Sequence, residues 1–133
     1  GAFNQLAHLK GDAETYAILV ASLAPNAVDG SHIFFPDPWH KKRHHKRRLI
    51  QPRLVHNLAT LLRTDGYLHL ATDWVPYAEH MFEVLDGEPL LVSAAGEPAT
   101  AVPRPNYRPP TKFEARGERL GHVVQDLIYH KRR

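Results

Sequence analysis

The arrangement of apolar and polar residues along the chain predicts strands and helices in alternation. Short apolar runs predict strands at Leu6–Lys10, Ile33–Phe35, Tyr67–Thr72, Leu90–Ser93 and Val123–Tyr129. Apolar residues spaced three or four apart predict helices at Glu14–Leu23, Ile50–Leu62, Trp74–Leu85 and Phe113–Leu120. This alternation favours one α/β domain over residues 1–133, with a mainly parallel sheet and helices on both faces.

Turn-forming residues predict where these elements end. Pro25, Asn26, Asp29 and Gly30 predict a loop before the strand at Ile33–Phe35, which ends where Pro36 follows. The triplet 64–66, Thr-Asp-Gly, predicts the end of a helix and a turn. Five prolines in residues 96–110 predict a long loop over the surface.

The composition is that of a globular domain, with 43% hydrophobic and 23% charged residues among 133. It argues against a disordered, fibrous or membrane-spanning chain. The chain contains no cysteine, which excludes disulfides, thiolate zinc sites and cysteine nucleophiles and weakly favours the cytoplasm.

Positive charge is concentrated in one segment, although the formal net charge is only +3. Residues 38–64 hold eight lysines and arginines and no acid, and residues 40–48, which we call the basic segment, are all basic or imidazole side chains. Such a run repels itself and is typical of a surface that meets a polyanion. A solvated basic face and a nuclear-import signal are the alternatives.

Two aspartates follow predicted strands, where ligands bind in parallel sheets. Asp37 stands between Pro36 and Pro38 and near Trp39, so a rigid carboxylate is expected beside a ring that could stack on a base. A carboxylate can accept hydrogen bonds from the edge of guanine. A proline-rich turn around a buried tryptophan is the alternative for Asp37, and a helix cap is the alternative for Asp73.

Other chemistries find little support in the sequence. No glycine-rich phosphate loop, dinucleotide fingerprint or serine nucleophile elbow is present. His40, His44 and His45 are close in sequence, but the cations between and beside them oppose a divalent metal ion. The polar stretch 108–122 reads as a loop followed by a helix, and composition assigns it no chemistry.

Three ordered motifs nevertheless resemble one family closely. They are FFPDPWHKKRHHKRR at 34–48, ATDWVPYAEHM at 71–81 and RPPTKFEARGERLGH at 108–122. Together they resemble the bacterial tRNA (guanine-N7-)-methyltransferases, over nearly the whole chain from about Leu6 to Tyr129. The resemblance implies a Rossmann-like class I methyltransferase fold. It also implies transfer of a methyl group from S-adenosylmethionine to N7 of guanine in the tRNA variable loop.

The resemblance also implies roles for single residues. Asp37 corresponds to the family's active-site aspartate, which also borders the cofactor, and Asp12 corresponds to a cofactor-binding acid. The substrate-binding positions of the family correspond to Lys41, Asp73, Thr111, Lys112, Phe113 and Glu114. No metal ligand is implied, and tRNA is the expected partner.

The sequence departs from the family in one respect. The glycine-rich strand and loop that hold the methionine end of the cofactor, and the acid for its ribose, are not found in it. We therefore expect a C-terminal portion of a methyltransferase domain that lacks the N-terminal strands, retains most of the RNA-facing half and binds S-adenosylmethionine weakly. A non-catalytic RNA-binding module is the alternative. The sequence leaves monomer and homodimer open and predicts a cytoplasmic protein without a membrane partner.

Overall fold

The order of the elements follows the predicted alternation. The computed structural model describes residues 25–115, apart from the side chain of Phe113, and residues 123–133. Its elements are β1 (Val28–Phe34), a 3-10 helix (Lys42–Arg47), α1 (Pro52–Leu61), β2 (Leu62–Thr72), α2 (Val75–Asp86), β3 (Leu91–Ser93), α3 (Lys112–Ala115) and β4 (Gln125–Lys131). The strand predicted at Leu6–Lys10, the helix predicted at Glu14–Leu23 and the candidate residue Asp12 lie outside the described residues.

The described strands form one four-stranded sheet in the order β1-β2-β4-β3. β1 and β2 are parallel, while β4 is antiparallel to both β2 and β3. Three of the four described strands therefore run in one direction and β4 alone runs against them. The α/β sheet that the sequence predicts is therefore present, but among the described strands it is only partly parallel, because β4 makes two of the three strand pairs antiparallel. The parallel pair brings the carboxyl ends of β1 and β2 to one edge.

Helices α1 and α2 form the core by burying one stripe each. Each helix has a proline in its first turn, where the missing N–H costs nothing. α1 buries Val55, Leu58, Ala59 and Leu61, and α2 buries Tyr77, Ala78, Met81, Val84 and Leu85. The two helices pack with Leu68 and Leu70 of β2 in one apolar cluster. The helical period of the sequence therefore predicts the core correctly.

Aromatic and imidazole rings occupy the opposite face of the same two strands. Because successive strand residues alternate between faces, His32 and Phe34 lie on one side together with Tyr67 and His69. Tyr107, from the long loop, stacks on His32 with ring centroids 4.5 Å apart. The part of the long loop around Tyr107 therefore lies over this face of the sheet.

Two turn predictions were wrong in detail. Asp29 and Gly30 belong to β1 and not to the preceding loop. A Cβ at position 30 would lie 2.5 Å from the ring of Tyr67, so glycine here admits a neighbouring side chain. The triplet 64–66 lies inside β2, where the pairing with β1 shifts register and Asp65 has a φ of 66°. The extra residues are therefore taken up by a bulge instead of a separate turn.

Candidate active site

Asp37 lies in a short turn directly beyond β1. Its Oδ1 accepts a hydrogen bond of 2.8 Å from the backbone N–H of Trp39, which is the local pairing that aspartate offers in turns. The residue is exposed. Non-glycine residues in the left-handed region flank the turn, Phe35 with a φ of 55° and Trp39 with a φ of 45°. Such strain is typical of functional sites, where the surrounding structure maintains it.

The buried side chain of Arg48 holds the backbone of this turn in place. It is 4% exposed, and its Nε donates a 2.6 Å hydrogen bond to the carbonyl of Pro38. Its guanidinium lies 4.8 Å above the ring of Tyr77 in α2. Burial raises the pKa of Tyr77 to about 12, so the phenol is neutral beneath the arginine. Arg48 thus fixes the backbone next to Asp37 and is not one of the exposed cations of the basic segment.

Asp73 follows β2 at the same edge of the sheet. The backbone N–H of Trp74 donates to Oγ1 of Thr72 at 3.2 Å, and helix α2 has no side-chain hydrogen bond at its N-cap, Trp74. The interpretation of Asp73 as a helix cap is therefore wrong. Its carboxylate is exposed and makes no hydrogen bond to another described residue.

The first two motifs are in direct contact. The backbone N–H of Phe35 donates to the carbonyl of Ala71 at 2.8 Å and thereby joins the ends of β1 and β2. The ring of His40 meets the ring of Trp74 edge-on, with centroids 4.3 Å apart. The turn of Asp37 and the end of β2 that carries Asp73 therefore belong to one site.

The basic segment forms the 3-10 helix beside this site. Lys41, Lys42 and Lys46 are exposed, and their ammonium groups make no ion pair or hydrogen bond with another described residue. Arg47 lies over the ring of Trp39 at 5.3 Å. The segment therefore presents cations to solvent next to an aromatic side chain, which is the combination that single-stranded nucleic acids bind.

The third motif is anchored by a cluster that we call the Arg108 clamp, formed by Arg108, Asp126, Glu114 and His69. Arg108 is completely buried. Its Nε and Nη2 donate to the two carboxylate oxygens of Asp126 at 2.6 and 2.9 Å, and its Nη1 and Nη2 donate to those of Glu114 at 3.1 and 2.9 Å. The Nε2 of His69 completes the clamp at 2.8 Å from Asp126.

The charges of the clamp stabilise one another. Burial opposes the charge of Asp126, but hydrogen bonds from His69 and Arg108 outweigh it and lower the pKa of this carboxyl. The hydrogen bond from Arg108 lowers the pKa of Glu114 as well. Burial also opposes the charge of Arg108, yet its bonds to both carboxylates raise its pKa further above the ordinary value. All three groups are therefore charged at neutral pH.

The predicted substrate segment begins with a capping box. Oγ1 of Thr111 accepts from the backbone N–H of Glu114 at 3.1 Å, and Oε1 of Glu114 accepts from the backbone N–H of Thr111 at 2.8 Å. Lys112 is exposed, and the side chain of Phe113 lies outside the described part. The guanidinium of Arg108 lies 5.7 Å from the ring of Phe35, so this segment reaches the same edge of the sheet as Asp37.

The structure therefore brings the three motifs together, and it also reveals supporting residues that the sequence did not predict. Arg48 bonds to the backbone of the Asp37 turn, and Asp126 and His69 belong to the Arg108 clamp. An acid directly before the apolar run Leu127–Tyr129 of β4 was the available signal for Asp126. No comparable pattern marks Arg48, because it is one cation among several in the basic segment.

Neither a metal centre nor a membrane span is found in the described parts of the chain. Residues 25–115 and 123–133 contain no group of three or more His, Asp or Glu side chains that could hold a metal ion. None of the helices in these ranges has the length and apolarity needed to cross a bilayer.

Asp37 and Asp73 are exposed beyond the carboxyl ends of two parallel strands, which is where open α/β sheets bind their ligands. The profile of a family described as "Putative methyltransferase" matches residues 2–127. The chain belongs to this family.

Two curated relatives indicate a particular reaction within this family by their names. The chain is 63% identical over 115 residues to a "tRNA (guanine-N(7)-)-methyltransferase" of Acidovorax sp. (strain JS42), covering 86% of this chain and 45% of that protein. It is 62% identical over 115 residues to the protein of the same name from Burkholderia vietnamiensis, covering 86% and 44%. The chain therefore spans a little under half the length of these relatives.

A solved structure is similar at a greater distance. It is an S-adenosylmethionine-dependent O-methyltransferase from Thermotoga maritima, with 13% identity and a TM-score of 0.46 over 86% of this chain and 37% of that one.

Proposed function

We propose that this chain forms the RNA-facing part of a tRNA (guanine-N7-)-methyltransferase that uses S-adenosylmethionine. The observation that carries the proposal is the pair of exposed carboxylates, Asp37 and Asp73, at the carboxyl ends of adjacent parallel strands and next to a basic segment. The names of the relatives that are about 60% identical support the same reaction. No observation favours the alternative of a non-catalytic RNA-binding module.

The reaction chemistry fits a carboxylate that does not accept a proton. N7 of neutral guanine carries a free lone pair and no hydrogen, so its methylation needs no general base. When bound, S-adenosylmethionine would supply the methyl group, whose bond to sulfur would be exchanged for a bond to N7, and the guanine ring would thereby gain the positive charge. Asp37 favours the charge that develops on the ring and orients the base.

Of the two residues proposed to contact the cofactor, one lies in the described part of the chain. Asp37 lies where a parallel sheet binds such ligands, beyond the end of β1. Asp12, the second residue proposed to hold the cofactor, lies outside the described residues. Asp37 would therefore border the cofactor while it faces the guanine.

The substrate would be held by side chains on both sides of this carboxylate. Lys41 in the basic segment would meet the tRNA backbone, because it is exposed and lacks an acidic partner among the described residues. Asp73 would accept hydrogen bonds from the edge of the guanine. The segment Thr111–Glu114, with Lys112 and Phe113, would close the site from the other side. The cytoplasm is the proposed compartment.

A direct test measures 7-methylguanosine in unmodified tRNA after incubation with S-adenosylmethionine and the intact protein. We expect Asp37→Asn to lower turnover roughly 100- to 1000-fold, as the loss of one strong electrostatic group does in other active sites, with little change in tRNA affinity. Asp65→Asn is the matched control, because Asp65 is an exposed carboxylate paired with Arg133 at the opposite end of the sheet. It should leave turnover unchanged.

Two results would contradict the proposal. If the intact protein forms no 7-methylguanosine but still binds tRNA, the RNA-binding alternative is correct. If Asp37→Asn retains normal turnover, the reaction stands and Asp37 has no part in it.

A further inference from the structure

The hydrogen-bonding capacity of Arg108 is used completely within the protein. A guanidinium has five N–H donors. Four of them bond to Asp126 and Glu114, and the fifth, on Nη1, donates to the carbonyl of Pro109 at 3.2 Å. Arg108 is also fully buried. It has no donor left for a phosphate, although it lies in the motif to which the family resemblance assigns substrate binding.

The clamp joins the sheet to the first turn of α3. Asp126 is buried in β4, where it pairs with Ala71 of β2 and bonds to His69. Glu114 lies on the other side of the guanidinium, in the segment Thr111–Glu114. A single planar cation therefore ties this segment to the end of β2, and only arginine presents two donor pairs in this fixed geometry.

The carboxylate of Glu114 is also largely occupied. Its two oxygens accept three hydrogen bonds, two from Arg108 and one from the backbone of Thr111. A carboxylate that receives the edge of guanine needs both oxygens free to accept a paired set of hydrogen bonds. The exposed carboxylate of Asp73, which has no such partners among the described residues, meets that need better.

We infer that Arg108 is a positioning residue that holds Thr111–Glu114 against the site, and that Glu114 belongs to this clamp and does not itself receive the guanine. The inference rests on the proposed function. Thr111 and Lys112 are then the members of the segment with described side chains that are left to contact the tRNA. Asp126 and His69 act on the substrate only through Arg108.

A double-mutant cycle tests whether Glu114 acts through Arg108. Arg108→Lys keeps the positive charge but loses the planar set of five N–H donors. Glu114→Gln keeps an oxygen that can complete the capping box but removes the negative charge. We expect each change to raise the KM for tRNA roughly tenfold, with the KM for S-adenosylmethionine unchanged, and the double variant to be no worse than either. Arg133→Met, which removes an exposed arginine at the far end of β4, is the control and should leave both constants unchanged.

The opposite results are equally clear. Losses that multiply to about a hundredfold in the double variant would show that Glu114 contacts the substrate independently, and would overturn the inference. So would parallel changes in both KM values, which indicate general destabilisation. The measurements are made below the unfolding temperature of every variant.

Hydrogen exchange separates this inference from the proposed function. In the intact protein without tRNA, Arg108→Lys should speed amide exchange at Thr111 and Glu114 by tenfold or more, while amides of β1 keep their protection. This outcome supports the clamp even if no methyl transfer is found. Unchanged exchange at Thr111 would overturn the clamp even if methyl transfer is normal.

Discussion

The basic segment and the Arg108 clamp both lie near the edge of the sheet where β1 and β2 end, yet their cations have opposite surroundings. Lys41, Lys42 and Lys46 are exposed and have no acidic partner among the described residues. Arg108 is buried between two carboxylates and has used every donor. A solvent-exposed cation remains available to bind a phosphate, whereas a cation with five hydrogen bonds inside the protein stabilises the folded structure.

The comparison shows that sequence alone does not separate these two roles. Arg48 makes the point within the basic segment itself, since it is buried and bonds to the carbonyl of Pro38 while the lysines around it are exposed. Three substitutions measure the difference between the two regions, in stability, in pH dependence and in salt dependence.

The largest expected effect is on stability. Arg108→Met leaves Asp126 and Glu114 charged beside an apolar side chain, and the loss of one partner from a buried ion pair costs about 3–5 kcal/mol. We expect the free energy of unfolding, measured with urea, to fall by this amount. Lys42→Met, which removes an exposed cation of the basic segment, should leave the urea midpoint unchanged. Equal effects of the two substitutions would contradict the division between the regions.

A smaller effect concerns the pH dependence of stability. The pKa of Asp126 is lower in the folded protein, so its charge contributes stability above the unfolded pKa of about 3.9, which is lost as the pH falls toward the lower folded pKa. Asp126→Asn should cost about 1.5–3 kcal/mol at pH 7, from its weakened charged hydrogen bonds. The difference from the unsubstituted protein should narrow between about pH 5 and pH 3.

The control for this pH dependence is Asp65→Asn. Asp65 forms an exposed pair with Arg133, and exposed ion pairs contribute little to stability. The free energy of unfolding of Asp65→Asn should change with pH in the same way as that of the unsubstituted protein over the same range. A constant difference for Asp126→Asn would show that its charge does not stabilise the clamp.

The sequence predicted the parts of this molecule that depend on local pattern. The helical spacing of Val55, Leu58 and Leu61 predicted the buried stripe of α1, and Pro36 predicted the end of β1 near Phe35. The positions of Asp37 and Asp73 beyond the ends of strands followed from the same pattern, whereas the pairing of those two strands is visible only in the structure. These features are set by periodicity and by proline, which act within a few residues.

The clamp could not be predicted in this way, because its members are far apart in the chain. Asp126 is 18 residues from Arg108 and 57 from His69, and no local preference joins them. The 3-10 helix of the basic segment was missed for a different reason, since neighbouring like charges oppose a helix. The predicted role of Glu114 came from the resemblance, and its occupied carboxylate is visible only in the structure.

The smallest effect, and the one specific to the basic segment, is on the salt dependence of tRNA binding. Each phosphate contact that is lost lowers the slope of log affinity against log salt by about 0.7–0.9. Lys41→Ala in the intact protein should therefore flatten the slope by nearly one unit and weaken binding modestly. Arg108→Lys is the informative companion, because a clamp that raises the KM for tRNA without touching a phosphate leaves the slope unchanged. An altered slope for Arg108→Lys would contradict the assignment of the clamp to positioning. An unaltered slope for Lys41→Ala would contradict the assignment of Lys41 to phosphate binding.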